Sequence, residues 1–169
     1  MTEKKYILNK EVATQKMQRM ALEIAEQLDG DTTDLIIIGI RNSGIVIAEK
    51  IGMLVKKYLT SPVKIVSLTL DKHQPNEAVL SEADIDFNGK NIIIVDDVAN
   101  SGKTLLYALK PLLNFHPKRI QTLVLVERMH KLFPIKSDYI GLTIATALQD
   151  HIQVEVENGE VIGAFIKCD

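Results

Sequence analysis

Three short stretches of this sequence, Leu35–Ile40, Asn91–Val95 and Ile120–Val126, are dominated by aliphatic and β-branched residues with no polar–apolar alternation. A strand that alternates buries one face, whereas one that is apolar on both sides needs cover above and below, as a central strand of a parallel sheet does. Helical signals lie between and before them. Val12, Ala13, Met17, Met20, Ala21, Ile24, Ala25 and Leu28 recur at three- and four-residue steps, which predicts a helix over 12–28 closed by Asp29 and Gly30. Further helices are expected from Ile45 to about Tyr58 and over Thr104–Leu113, with another strand at Val63–Leu70. Strands alternating with helices give an α/β fold, an open parallel sheet with helices on both faces.

Two regions fall outside that alternation. Residues 71–89 are polar and contain Pro75, Asn76 and Asn88, which predicts a long, mobile excursion. His151–Glu157 and Glu160–Ile166 flank Asn158-Gly159, a strong two-residue hairpin signal, and predict a small C-terminal hairpin or hood on the sheet. With no repeat or linker in 169 residues, the chain reads as a single domain over 1–169. A chain of this size buries roughly 70% of its unfolded surface and needs no disulfide or metal staple.

The lone Cys168 forms no internal disulfide, which fits a reducing, cytoplasmic setting. No segment reaches the roughly 18 apolar residues of a membrane span. The 20 Lys plus Arg against 22 Asp plus Glu, a formal charge of −2, argue against a generally basic nucleic-acid binder. A local basic patch stays open: Lys10, Lys16 and Arg19, six and three residues apart, could share part of a face of the first helix.

The segment that carries chemistry is Ile92-Ile93-Ile94-Val95-Asp96-Asp97-Val98-Ala99-Asn100-Ser101-Gly102-Lys103-Thr104. It brings two carboxylates to the carboxyl end of a buried strand, where open α/β sheets place their ligands. A loop with hydroxyls and a glycine follows, then a helix start, whose free N–H groups suit a phosphate. Adjacent carboxylates repel a bare phosphate but accept hydrogen bonds from a diol, so the whole segment fits a 5-phosphorylated ribose. Either half alone reads better as an ordinary solvated strand end or helix start; it is their adjoining that favours the ligand reading. Gly102-Lys103-Thr104 is not a nucleoside-triphosphate loop, because Asp97 stands where that motif needs a glycine. Gly39 to Gly44 lacks the second glycine of the dinucleotide fingerprint.

Val95–Thr104 resembles the ribose-phosphate motif of the type I phosphoribosyltransferases, which join a nitrogenous base to phosphoribosyl pyrophosphate. Ile38-Gly39-Ile40-Arg41 with Gly44-Ile45, Val124–His130 and Leu132–Gly141 extend the likeness to the PyrR-like branch of pyrimidine-operon attenuators, which are also uracil phosphoribosyltransferases. The resemblance implies that Asp96 and Asp97 bind the ribose hydroxyls, and that Val98, Ala99, Asn100, Ser101, Gly102, Lys103 and Thr104 complete the site, with Asn100–Thr104 on the 5-phosphate. It assigns Arg41, Asn42, Ser43 and Gly44 to a pyrophosphate loop, which in the family often contains a non-proline cis peptide. Arg41 joins the acid pair as a catalytic candidate, Arg128 and Met129 lie near the base, and Lys72 and His73 reach over from the mobile loop. Mg²⁺ would arrive with the phosphorylated ligand, near Asp96 and Asp97, and the chain would form a homodimer or higher homo-oligomer.

The expected reaction transfers the phosphoribosyl group to a pyrimidine, first of all uracil. Hypoxanthine-guanine enzymes carry a titratable Asp in the phosphate loop and a Lys after the following strand; here Asn100 and Glu127 take those places. The alternatives are a purine phosphoribosyltransferase and an RNA-binding regulator of pyrimidine genes. Departures from the branch bear most on RNA: its RNA-contacting threonine-arginine pair is Gln18-Arg19 here, and a nearby histidine is Leu22. Leu70-Asp71-Lys72-His73, Ser43 and Ser101 also depart from its pattern. RNA binding is therefore expected to be the weaker activity.

Overall fold

A computed structural model describes residues 3–71, 73–75 and 77–167. The chain runs β1 (Lys4–Asn9), α1 (Lys10–Gln27), β2 (Leu35–Ile40), α2 (Ser43–Val55), β3 (Val63–Thr69), β4 (Val79–Leu80), β5 (Asn91–Ala99), α3 (Lys103–Ala108), a 3₁₀ turn (Lys110–Asn114), β6 (Arg119–Arg128), β7 (Tyr139–Ile144), β8 (His151–Glu157) and β9 (Glu160–Lys167). Lys72 and Cys168 lie outside the described residues.

The main sheet has the order β4-β3-β2-β5-β6-β7, parallel throughout except for β4, which pairs antiparallel with β3. Every residue of β2 is buried, and the alternation of a strand divides it between two cores. Leu35 and Ile37 join Ile93 and Val95 of β5 beneath α1 and α2. Ile36, Ile38 and Ile40 join Ile92 and Ile94 on the opposite face, against Leu105, Ala108 and Leu112. Both faces are thus covered, as the unbroken apolar runs require, and truncating one of these isoleucines to Ala costs about 2–5 kcal/mol.

α1 starts at Lys10, two residues before the periodicity predicts, because the side chain of Asn9 accepts the amide N–H of Val12 at 2.8 Å and caps it. α2 likewise starts at Ser43, which shortens the preceding loop to Arg41 and Asn42. The stretch expected as one helix over 104–113 is α3 followed by the 3₁₀ turn. Pro111 lacks the N–H that would continue the α-helical ladder.

Residues 71–89 are more structured than their polarity suggests. They contain β4, and Phe87 is buried with its ring edge-on to Phe115, centroids 5.3 Å apart. Asp71 accepts the amides of His73 and Gln74 at 2.9 and 3.3 Å, and these bonds hold its carboxyl below the ordinary carboxylate range.

The C-terminal hairpin is present as β8 and β9, turning at Asn158 and Gly159, both with positive φ as a tight hairpin turn demands. β1 pairs antiparallel with β9, so the hood is a separate three-stranded sheet, β1-β9-β8. Among the described residues, no helix is long and apolar enough to cross a membrane.

Candidate active site

The sheet order reverses direction between β2 and β5. The chain leaving β2 passes through α2 to β3 on one side, and the chain leaving β5 passes through α3 to β6 on the other. Two connections that part in this way open a crevice at the carboxyl ends of the strands. The hood lies beside that crevice, and together they line an open cavity of about 720 Å³.

The floor of the cavity is the continuous run Asp96–Leu105, joined by Ser43 from the start of α2 and His73 from the excursion. Both acids lie within β5, which extends to Ala99, rather than beyond its end. Their environments differ. Asp96 is 1% exposed, whereas Asp97 is half-buried. Oδ1 of Asp96 accepts the amide of Asp97 at 2.9 Å, and Oδ1 of Asp97 accepts that of Val98 at 2.8 Å. These bonds fix the carboxylates relative to the backbone that leads into the next loop.

That loop turns at Gly102, whose φ of +85° is a left-handed conformation that favours glycine. The hydroxyl of Ser101 accepts the amide of Lys103 at 3.2 Å, while Asn100 is exposed. Gly44 is packed directly on the acid pair's strand. A Cβ there would lie 2.7 Å from the carbonyl oxygen of Val95 and 3.1 Å from Cα of Asp96. The first turn of α2 and the middle of β5 are therefore in van der Waals contact, and a glycine makes it possible.

The remaining expected residues are distributed less simply. The Arg41–Asn42 peptide is cis. Arg41 is exposed and does not line the cavity; its Nε donates to Oγ of Ser67 on β3 at 3.1 Å. Arg128 and Met129 do not line it either. The Arg128 guanidinium instead binds the turn before β8, donating to Oγ1 of Thr146 at 2.7 Å and to the carbonyls of Ala147 and Asp150 at 2.8 and 2.6 Å. Met129 is exposed, next to a second hollow of about 420 Å³ lined by His130, Ala145 and Asp150. Glu127 is turned into the protein, 4% exposed and paired with Lys131.

The roof was not anticipated residue by residue. Lys4 of β1, His151–Glu155 of β8, and Phe165 and Lys167 of β9 face the cavity. Lys4 Nζ lies 2.9 Å from Glu155 Oε1 and 4.4 Å from the centroid of the Phe165 ring, and the Tyr6 hydroxyl donates to Oε2 of Glu155 at 2.9 Å. The two donors hold the Glu155 carboxyl below its usual range, and Glu155 in turn raises Lys4 and Tyr6. The available signal was the parity of Lys4 and Tyr6 on a short strand, which one apolar residue pair made too weak to read.

Among known proteins, residues 5–158 match the phosphoribosyl transferase domain. The chain is 34% identical to the bifunctional protein PyrR of Limosilactobacillus fermentum over 152 residues, 83% of this chain and 84% of that protein. It is 38% identical to the bifunctional protein PyrR 1 of Lactiplantibacillus plantarum over 152 residues, again 83% and 84%. In three dimensions it resembles the hypoxanthine phosphoribosyltransferase of Trypanosoma cruzi, with a TM-score of 0.75 at 18% identity, covering 86% of this chain and 84% of that one. Matched across most of its length in sequence and in fold, the chain belongs to the phosphoribosyltransferase family.

Proposed function

We propose that the protein transfers the phosphoribosyl group of phosphoribosyl pyrophosphate to a pyrimidine, uracil in the first instance. The observation that carries this reading is the shared cavity: the acid pair and the Asn100–Thr104 loop form one continuous floor, with the start of α2 packed against the acid pair's strand through Gly44. A sugar diol against Asp96 and Asp97 and a 5-phosphate in the loop leave the anomeric carbon under the hood.

In the reaction a ring nitrogen of the base forms a bond to C1 of the ribose as the bond from C1 to pyrophosphate breaks, and the base gives up its N–H proton. Positive charge that develops on the sugar is stabilised by the nearby carboxylates. Asp96, fixed by the Asp97 amide, orients; Asp97, half-buried, meets the ligand. Closure of the hood with the segment that brings His73 to the cavity would exclude water that would otherwise hydrolyse the sugar.

The donor set fits Mg²⁺. No cluster of three or more metal-ligating side chains occurs among the described residues, but Asp96 and Asp97 offer hard oxygens, and Mg²⁺ is commonly held by one or two carboxylates plus substrate phosphates. Bound there, it would neutralise the leaving pyrophosphate.

Uracil is favoured over a purine by Asn100, which cannot titrate, and by the absence of a lysine where Glu127 turns inward. The test is an assay of uracil, orotate, hypoxanthine, guanine and xanthine with phosphoribosyl pyrophosphate and Mg²⁺. Preferential turnover of uracil is expected; preference for a purine, or no turnover, overturns the reading.

A further inference from the structure

We propose that Glu127 and Lys131 are positioning residues for the phosphate loop, acting from outside the cavity through the turn that follows β6. The inference rests on the reading above, in which residues 100–104 take the 5-phosphate. Glu127 is 4% exposed, and its Oε1 makes two contacts: Lys131 Nζ at 2.7 Å and the amide N–H of Ser137 at 3.1 Å. One carboxylate oxygen thus pins two points of the 128–137 turn, six residues apart.

The turn so pinned is the back wall of the phosphate loop. The amides of Leu132 and Phe133 both donate to the carbonyl oxygen of Ser101, at 3.1 and 3.0 Å. Ile135 lies so close that a Cβ on Gly102 would be 2.7 Å from its Cγ2, and Lys131 itself passes beneath, its Cδ 3.5 Å from that same point. Ser101 and Gly102 are therefore gripped from behind, at the peptide whose direction sets where the following amides point. The pocket-facing side of the loop stays open to the ligand.

A buried ion pair adds little net stability, because desolvation of both charges offsets their attraction. What it supplies here is a fixed geometry. Binding through backbone amides is sensitive to placement, and a shift of about 1 Å can cost up to about a hundredfold in rate. Neither side chain lines the cavity, so their effect must pass through the loop.

The test compares wild type with Glu127→Gln, which keeps an oxygen for the Ser137 amide but loses the charge pairing, and with Lys131→Met, which keeps the aliphatic stem. Calorimetry with phosphoribosyl pyrophosphate and hydrogen exchange of residues 100–104 are read alongside melting temperature and steady-state constants. Affinity is expected to fall about tenfold or more in both variants, with faster exchange at Gly102–Thr104 and an unchanged KM for the base. The double variant should lose little more than either single one, since the pair acts as a unit. Folded variants that bind the ligand and exchange like wild type overturn the positioning role. A wild type that fails to bind phosphoribosyl pyrophosphate overturns the functional reading instead, and the exchange measurement then decides the positioning role by itself.

Discussion

Gly44 and Asp96 touch across the crevice: a Cβ on the glycine would stand 3.3 Å from Oδ1 of the aspartate and 2.7 Å from the carbonyl oxygen of Val95. The backbone at the start of α2 and the strand carrying the acid pair are thus set at a fixed separation, with no side chain between them. Gly44→Ala has to push backbone from backbone, because the two nearest atoms on the strand, the Val95 carbonyl oxygen and Asp96 Cα, belong to the main chain. The variant is expected to lose about 1–3 kcal/mol of stability and on the order of a hundredfold in kcat/KM. Denaturant titration and phosphoribosyltransferase assays measure the two effects separately; full activity in the variant would show that the contact is not needed.

Asp97→Asn separates ligand chemistry from folding. The residue is half-buried at the cavity floor, and an Asn oxygen can still accept the Val98 amide. Turnover is expected to fall by about a hundredfold or more while the melting temperature moves by only a few degrees. Asp96→Asn, at a position 1% exposed, should lower both. Matched kinetics and thermal melts on the two variants give the contrast.

The basic patch considered for RNA is largely occupied. Lys10 pairs with Glu160, and Arg19 pairs with Glu23 while donating to the carbonyls of Ile140 and Gly141 at 2.8 and 3.0 Å. Cations engaged in this way release few counterions from a nucleic acid, so binding should be weak, non-selective and only mildly salt-dependent. A gel-shift titration of a pyrimidine-operon leader at physiological salt is expected to show no tight complex. Nanomolar, sequence-selective binding would move the regulator, the alternative, to first place.

Tyr139 predicts the alkaline limit of the fold. Its hydroxyl lies at 2.9 Å from side-chain oxygens of both Gln27 and Gln121, and burial pushes it up to about 12 from an ordinary value of 10. Below pH 10 both folded and unfolded chains keep the proton. Above pH 10 the unfolded chain ionises first, so stability should fall as pH rises from 10 towards 12. Denaturant midpoints of wild type and Tyr139→Phe across that interval check it: the fall should be smaller in the variant.

The central strands were legible because burial on both faces leaves nothing polar to confuse the pattern, as in Leu35–Ile40. β1 and β7 were not. Lys4–Asn9 carries two lysines because its outer edge faces solvent and its inner face meets the cavity, and Tyr139–Ile144 is an edge strand with only partial burial. The acid pair and phosphate loop could be read because they are contiguous; of the roof only the β8–β9 hairpin could, since β1 joins it only through tertiary pairing. Arg41 and Arg128 show the limit for lone cations: a guanidinium goes to whatever acceptors the fold presents, here Ser67 and the carbonyls before β8, and local sequence does not name them.

Among the described residues the hood and the main sheet share no strand ladder, and the cavity lies between them. A ligand lodged there would touch both sheets at once and act as a strap across the joint. By mass action such a ligand at a hundred times its dissociation constant adds about 2.7 kcal/mol to the folded state. If the proposed function holds, the stability of the folded chain is thereby linked to the concentration of the molecule it works on.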